Sequence, residues 1–469
     1  MVNKLYTKKD QHRLFKRSVS DKLIPDVRTP FQKDRDRVIH SEPFRRLQNK
    51  TQVLLPGDND FYRTRLTHSI EVAQIGRSIA YFLNQNADGL YRNKLAIDYD
   101  LVEAICISHD IGHSPFGHLG ERALNVVMNG PKERVFSFEK GNESFIDDVG
   151  KEVIGDCGFE GNAQNLRILE NLGNQIGDMK GQDGFNPTRA MWEGMLKYLV
   201  TADYVHEHKL FPKFIYDSTL RSYTKEKQSF FNLPKDEYIQ YNYRCIENQI
   251  MEFADDISYS VLDLEDAFNA EFISAMNMDQ IVEFIEGFQA QHGIEFHLPG
   301  KKNLISFFRS AFKTKSGVRK FKNYFIALFI SNLELSPCES RFKSTRFNLK
   351  LHFRDESYGI LIELFKQITK EFVYMTPHIL QLRYSFPMYI IQMFKAFYYD
   401  TRLLPKHVQL SLPSHLTKSR LKKINDLKLE VWSKPRIICD YIASMTDHYF
   451  LKKYKKMFQG GEIPYSHFE

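Results

Sequence analysis

The sequence contains few cysteines, and they lie far apart. The five of them form no Cys-x-x-Cys pair, which argues against a thiolate metal site and fits a reducing compartment. Glycine and proline are also scarce, at 24 and 17 of 469 residues. Regular alternation of apolar and polar residues is rare, whereas helical spacing recurs throughout. A loop-rich β architecture is therefore unfavourable, and we predict an all-α fold.

The sequence also lacks any segment suited to crossing a membrane. Its longest apolar run, at 324–330, is far shorter than the roughly 20 residues that a transmembrane helix needs. The first 18 residues contain no apolar stretch typical of a secretory signal. The composition, 42% hydrophobic and 26% charged, argues against disorder. We therefore expect a cytoplasmic globular protein with no membrane partner.

Positive charge is concentrated near both ends of the chain. Residues 1–50 carry 14 Lys or Arg against 6 Asp or Glu, and residues 415–459 carry 11 against 4. Such segments suggest a polyanionic partner or the acidic face of a sister subunit, although a solvated basic surface explains them equally well. We divide the chain into a basic segment at 1–29, a core at 30–270 and a helical region at 271–469, with no clear linker near 270.

Three segments show the apolar spacing of buried helices, namely 66–84, 98–109 and 242–268. Thr67 is a plausible cap for the first, and Asp98 or Asp100 for the second. Further helices are predicted at 320–335 and 355–372, with one long helix near the carboxyl end. Segments 124–160 and 178–190 have the composition of loops.

One short segment, ISHDIGHSPFGHLGE at 107–121, concentrates groups that bind metals or transfer protons. It places His109 and Asp110 at the end of a predicted helix, with His113 in the Gly- and Pro-rich turn that follows. His118 and Glu121 lie three residues apart, so both can occupy one face of the next helix. A structural histidine needs only one hydrogen-bond partner, so this density indicates a site.

A divalent ion that activates water needs a few fixed ligands and open coordination positions. The predicted helices offer His68, the adjacent His109 and Asp110, and Asp255. Two imidazoles and two carboxylates suit Mn²⁺ or Mg²⁺, with Fe²⁺, Co²⁺ and Zn²⁺ as alternatives. Taken singly, each residue has a structural explanation as a core histidine, a helix cap or a solvated acid.

The order H…HD…D resembles the metal-dependent phosphohydrolases of the HD-domain superfamily. Further blocks in the same order resemble the bacterial deoxyguanosinetriphosphate triphosphohydrolases. They include FEGNAQNLRIL at 159–169, FADDISYSVLDLEDA at 253–267 and CDYIASMTD at 439–447. The resemblance implies an HD-domain helical core with an additional helical carboxyl-terminal region.

The resemblance also implies a reaction. A deoxynucleoside triphosphate, most often dGTP, is hydrolysed to the deoxynucleoside and tripolyphosphate through metal-activated water attack on the α-phosphorus. His118 is then the general acid for the leaving 5′-oxygen, with Glu121 orienting it; reversed duties, or a water-activating base, are the alternatives. His113 is expected to contact a phosphate from the same loop.

The same resemblance implies residues that bind the substrate. Contacts to the phosphates are expected from Arg65, Lys197 and Tyr198. Gln48 and Asp263 are expected to bind the 3′-hydroxyl, and Asn162 to lie in the pocket wall. Tyr259 is expected to exclude a 2′-oxygen by lying under the sugar.

Family members assemble into rings, so a homo-oligomer, with a hexamer favoured, is expected, and single-stranded DNA or a nucleotide is a possible effector. Arg436 is a candidate to reach substrate or a neighbouring subunit. The chain departs from the family in a longer segment around 181–191 and in Ser444, where a glycine is usual. Alternative functions are another HD-domain nucleotide hydrolase, such as a phosphodiesterase or 5′-nucleotidase, and a regulatory HD protein that binds nucleic acid.

Overall fold

The computed structural model describes most of the chain. The described residues are 5–13, 26–52, 63–86, 96–129, 143–153, 157–172, 184–208, 213–219, 244–301, 303–338, 345–415 and 433–460.

The amino-terminal half consists of helices joined by irregular segments. They are α1 (Pro30–Ile39), α2 (Glu42–Arg46), α3 (Arg65–Gln85), α4 (Tyr99–Ser108), α5 (His118–Asn129), α6 (Glu143–Glu152), α7 (Gly161–Arg167), α8 (Arg189–Met195), α9 (Ala202–Glu207) and α10 (Ile246–Asn269).

The carboxyl-terminal half adds further helices and one small antiparallel hairpin. These elements are α11 (Met278–His292), α12 (Leu304–Ala311), α13 (Lys315–Ser331), β1 (Leu333–Pro337), β2 (Leu349–Phe353), α14 (Ser357–Thr369), α15 (Pro377–Tyr399), α16 (Lys406–Gln409), α17 (Lys434–Ser444) and α18 (Asp447–Phe458). Within the described residues, β1 and β2 form the only sheet, so the all-α prediction is confirmed.

Side-chain caps fix where the site-bearing helices begin. Thr64 caps α3, and Thr67 occupies the third helical position, where the two threonines form a reciprocal capping box. The predicted cap at Thr67 is therefore wrong by one turn. Asp98 accepts from the backbone N–H groups of Asp100 and Leu101, which confirms it as the cap of α4.

Helices α3, α4 and α10 pack together to form the centre of the main core. A Cβ atom on Gly76 of α3 would lie 2.7 Å from the sulfur of Cys106 on α4, so the absence of a side chain permits this close crossing. On the apolar stripe of α10, Ile250, Ile257 and Val261 are buried, as their spacing predicted, whereas Phe253 on the same stripe is partly buried. Three site-bearing elements are thereby held rigidly against each other.

A second apolar cluster joins α5 and α6 to α15, α17 and α18. Two sequence predictions are wrong here. Part of the segment predicted as loop forms α6, whose apolar face includes the buried Phe145 and Val149. The predicted single carboxyl-terminal helix is two helices, because Thr446 is extended and its side chain caps α18.

The main core continues without interruption from residues before 270 to residues after it. This continuity gives no support to a domain boundary near 270, which stays a prediction from sequence. Among the described helices, none combines the length and apolar character that crossing a bilayer requires.

Candidate functional site

The four predicted metal ligands meet where α3, the end of α4 and α10 converge. His68, His109 and Asp110 present ligand atoms that all lie within 4.8 Å of one another. Asp255 Oδ1 lies 3.1 Å from His68 Nε2 and 3.7 Å from His109 Nε2. Ligands bound at about 2.1 Å and at right angles lie about 3 Å apart, so this spacing suits a single ion.

The orientation of the two imidazoles also fits a metal. His109 Nδ1 lies 2.6 Å from the carbonyl oxygen of Cys106, which directs Nε2 towards Asp255. That Nε2 atom is buried and has no hydrogen-bond partner among the described residues. His68 Nδ1 lies 3.4 Å from Ser258 Oγ, and its Nε2 faces the same carboxylate. Both rings are thus oriented by a second partner, as is usual for histidine ligands.

The electrostatics keep the two carboxylates ionised. Burial raises the pKa of Asp255, but His109, His68 and Lys197 outweigh that effect and hold the pKa below its usual range. Burial also raises the pKa of Asp110, but the neighbouring side chains outweigh that effect and lower the pKa of this carboxyl well below normal; in order of effect they are His109, His113, Arg65 and His68. Burial lowers the pKa of His68, and the bond to Asp255 reverses this, so the pKa of His68 is raised overall.

Asp110 connects the metal ligands to two predicted phosphate contacts. Arg65 Nη1 donates to Asp110 Oδ2 at 2.6 Å, and His113 Nδ1 lies 3.0 Å from Oδ1. Both side chains are buried, so Arg65 is not a surface arginine at the start of α3. Burial lowers the pKa of His113 to about 3, so its imidazole is neutral at physiological pH.

His118 and Glu121 form the predicted pair at the start of α5. His118 Nδ1 lies 3.3 Å from Glu121 Oε2, and the histidine side chain is 72% exposed while the glutamate is buried. Burial raises the pKa of Glu121, but Lys213 and His118 outweigh it and lower that pKa overall. The ring of His118 lies 5.7 Å from the ring of His113, so the pair adjoins the metal ligands.

Lys213 was not found by sequence analysis. Its Nζ atom lies 3.3 Å from Glu121 Oε1 and 2.7 Å from Glu160 Oε1. Asn162 donates to the same Glu160 oxygen at 2.7 Å, which brings this predicted pocket residue beside the pair. A single lysine in the segment FPKFIYD carries no local signal, because only the fold brings it to α5.

A second basic group lies beside α10. Lys197 Nζ is 3.3 Å from Glu252 Oε1, and Arg244 pairs with the other oxygen of the same carboxylate. The Arg244 guanidinium lies over the ring of Tyr198, 5.7 Å from its centroid. Burial lowers the pKa of Lys197, and Glu252 more than compensates, so the pKa is raised. Lys197 and Tyr198 thus lie together, and Arg244 is a cation that sequence analysis missed.

Tyr259 and Asp263 on α10 lie near Tyr374, which ends a turn of irregular helix at 370–374, directly after α14. Tyr259 donates its hydroxyl hydrogen to the hydroxyl of Tyr374 at 3.0 Å. Asp263 is buried, and its Oδ2 has no hydrogen-bond partner among the described residues. Burial raises the pKa of Asp263 to about 8, so its carboxyl is largely protonated at neutral pH. Tyr374 was missed because the turn of irregular helix that carries it is remote in sequence.

Gln48 and Arg436 are not shown to contact the other predicted site residues. Gln48 is exposed on a short turn after α2, whereas the side-chain oxygen of Gln52 is buried without a hydrogen-bond partner among the described residues. Arg436 is buried, donates to the Gly158 carbonyl at 2.7 Å and lies over Tyr216. These contacts are within its own chain, so they give no support to contact with a neighbouring subunit.

Two family models match the chain. The HD domain model matches residues 65–173, a range that includes three of the four candidate ligands. The phosphohydrolase-associated domain model matches residues 355–456. A deoxyguanosinetriphosphate triphosphohydrolase-like protein 2 of Deinococcus radiodurans is 33% identical over 92% of this chain and 93% of its own length.

Two further relatives are similar to the chain over nearly its whole length. Deoxyguanosinetriphosphate triphosphohydrolase-like proteins of Histophilus somni and Shewanella loihica are 32% and 30% identical, each over 92% of this chain, and over 96% and 93% of their own lengths. The chain therefore belongs to the deoxyguanosinetriphosphate triphosphohydrolase-like family of HD-domain phosphohydrolases.

Proposed function

We propose that the protein hydrolyses a deoxynucleoside triphosphate, with dGTP as the preferred substrate, to the deoxynucleoside and tripolyphosphate. The observation that carries this proposal is that one short segment, 109–121, provides both candidate metal ligands and candidate proton donors. His109 and Asp110 face the metal position, and His113 and the His118–Glu121 pair follow within 11 residues. Groups that can hold a metal and groups that can transfer a proton are therefore adjacent.

His68, His109, Asp110 and Asp255 would hold the ion, with Mn²⁺ or Mg²⁺ expected. A bound divalent ion lowers the pKa of coordinated water and polarises a phosphoryl oxygen. The protein itself must supply cationic side chains, because a triphosphate carries about four negative charges that need partners. Arg65, Lys197 and Lys213 lie around the ligands and supply them.

The departing 5′-alkoxide is strongly basic and needs a proton. The exposed face of His118 can deliver one from Nε2 while Nδ1 faces Glu121. In the balanced reaction, the oxygen of water bonds to the α-phosphorus and the bond from that phosphorus to the 5′-oxygen breaks. The proton from His118 goes to the 5′-oxygen, and the proton lost by water restores the histidine.

The preference for a deoxyribose is assigned to Tyr259. Its hydroxyl is fixed by Tyr374, so the ring cannot easily move aside for an additional oxygen atom. Asp263, two turns from Asp255, has a carboxyl oxygen with no hydrogen-bond partner in the described part of the chain, and this oxygen suits a sugar hydroxyl. The preference for guanine rests on the names of the relatives.

Product analysis tests the proposal. Purified protein is incubated with each of the four dNTPs and with GTP, in Mn²⁺ or Mg²⁺, and both products are identified by anion-exchange chromatography. Deoxynucleoside with tripolyphosphate in equal amounts supports the proposal, with Asp110→Asn as the inactive control. Release of pyrophosphate or orthophosphate would instead indicate another HD-domain nucleotide hydrolase.

The proposal includes assembly into a homo-oligomer, with a hexamer favoured. Tyr384 and Tyr399 on α15 are 71% and 61% exposed, and exposed aromatic side chains are common at subunit contacts. Light scattering during size-exclusion chromatography measures the subunit number. If single-stranded DNA binds the basic segments as an effector, its affinity should fall steeply with salt.

A further inference from the structure

The loop between the metal ligands and His118 is held from two sides. On one side, Asn165 of α7 accepts from the Gly112 N–H at 2.6 Å and donates to the carbonyl of His109. A Cβ atom on Gly112 would lie 2.5 Å from the Asn165 backbone nitrogen, so no side chain fits at this position. This contact fixes the half of the loop that carries the metal ligands.

On the other side, the loop is held by the carboxyl-terminal region. The Phe116 N–H donates to Asp447 Oδ1 at 2.9 Å. The other oxygen of Asp447 accepts from the N–H of Thr51 at 2.7 Å and from its hydroxyl. Lys50 adds a second connection, since its ammonium donates to the carbonyls of His113 and Ala443.

Phe116 has a backbone conformation that requires such support. Its φ of 62° lies in the left-handed region, and Gly117 follows at 58°. A bulky residue adopts this region only where its surroundings enforce it. The Phe116 ring stacks on Phe386 of α15 at 4.0 Å and meets the edge of Phe450 of α18.

This left-handed pair sets the direction in which α5 leaves the loop. His118, the first residue of α5, follows immediately, and Glu121 lies one turn later. If Phe116 returned to an ordinary negative φ, the start of α5 would rotate and His118 would leave its position. Misplacement of a reacting group by about 1 Å can reduce a rate by about 100-fold.

We propose that Asp447 is a positioning residue for the proton-donating pair, an assignment that rests on the proposed function. Its carboxylate on α18 holds Phe116 in the left-handed conformation and thereby places His118 and Glu121. The carboxyl-terminal region thus contributes to the reaction without touching the substrate.

The two oxygens of Asp447 allow a matched test. In Asp447→Asn, the single amide oxygen can satisfy Thr51, and the amide N–H₂ then faces the Phe116 N–H. In Thr51→Val, the same buried carboxylate loses a hydroxyl donor, but its bond to the loop remains. We expect kcat to fall by about 100-fold in Asp447→Asn and to stay within about threefold in Thr51→Val.

Controls separate positioning from loss of structure. Bound Mn²⁺ should remain at one ion per chain, and KM should change little in either variant. The limb of the kcat–pH profile that disappears in His118→Ala should also disappear in Asp447→Asn. A kcat of Asp447→Asn that equals that of the unmodified protein, or equal losses of kcat in both variants, would overturn the assignment.

A crystal structure of Asp447→Asn gives an answer that does not depend on the substrate. A negative φ at Phe116 with a displaced His118 supports the proposal. A φ that stays near 62° with His118 unmoved overturns it. If the unmodified protein hydrolyses no dNTP, the proposed function fails, yet this structural comparison still decides whether Asp447 fixes the loop.

Discussion

Replacing His118 with alanine tests the assigned proton donor with little disturbance of the fold. The side chain is 72% exposed, and its hydrogen-bonding contact is with Glu121. An exposed substitution of this kind changes the free energy of unfolding by about 0.5 kcal/mol or less. Glu121 keeps its ion pair with Lys213, so no buried charge loses its last partner. Any large effect on kcat is then an effect on the reaction.

The expected loss follows from the role. General acid catalysis is worth about 10²–10⁴ in rate, which corresponds to about 2.7–5.4 kcal/mol in activation free energy. Since the histidine donates to the leaving oxygen only as the bond breaks, KM and metal affinity should change little. The loss should therefore appear almost wholly in kcat.

Single-turnover measurements by rapid quench give the rate of bond cleavage, and isothermal titration with Mn²⁺ gives the metal affinity. His208→Ala is a matched control, because His208 is an exposed histidine at the end of α9. If His118→Ala cleaves within about fivefold of the unmodified rate while binding metal normally, the assignment of His118 as general acid is refuted.

Asp110→Asn should bind Mn²⁺ at least about 100-fold more weakly and lose turnover while circular dichroism stays unchanged, since Asp110 supplies a ligand oxygen. Tyr259→Ala should hydrolyse GTP as well as dGTP, and Tyr374→Phe, which keeps both rings but removes the acceptor of the Tyr259 hydroxyl, should weaken discrimination to a smaller extent; rejection of GTP by the alanine variant would contradict the steric filter. Burial raises the pKa of Asp263 to about 8, so above an unfolded pKa of about 3.9 the folded state holds one more proton than the unfolded state. Asp263 should therefore contribute a loss of about 1.4 kcal/mol of stability per unit as pH rises towards 8 in the metal-free protein, and Asp263→Asn should remove that contribution in urea titrations; a slope that is the same in both proteins would show that Asp263 does not contribute.

The meeting of the four candidate metal ligands could be predicted because each of them has a local signal in the sequence. His68 and Asp255 lie on long helices whose apolar spacing is plain, and the His109–Asp110 pair ends a third. Helices this apolar must pack together, which brings their polar residues to one place. The same reasoning placed His118 and Glu121 on one helical face, and the structure has them 3.3 Å apart.

Other residues could not be found in this way, because tertiary contact alone gives them their position. Lys213 reaches Glu121 from 92 residues away, and Tyr374 reaches Tyr259 from 115 residues away. Neither lies in a pattern that differs from an ordinary surface lysine or core tyrosine. Gln48 and Gln52 lie four residues apart, and the short turn after α2, which sequence alone did not predict, exposes Gln48, whereas the side-chain oxygen of Gln52 is buried.

The ion pairs in the site couple the binding of the metal ion to the binding of the nucleotide. Each cation assigned to the triphosphate already has a carboxylate partner in the chain: Arg65 has Asp110, Lys197 has Glu252, and Lys213 has Glu121. Of these carboxylates, only Asp110 is also an assigned metal ligand. An ion that takes Asp110 therefore weakens its bond to Arg65 and frees that guanidinium for a phosphate. Because such coupling is reciprocal, nucleotide that holds Arg65 must strengthen metal binding by the same factor. Lys197 and Lys213 make their ion pairs with carboxylates that are not assigned metal ligands, and Lys197 acts on Asp255 only through space, so most of the coupling should depend on Arg65.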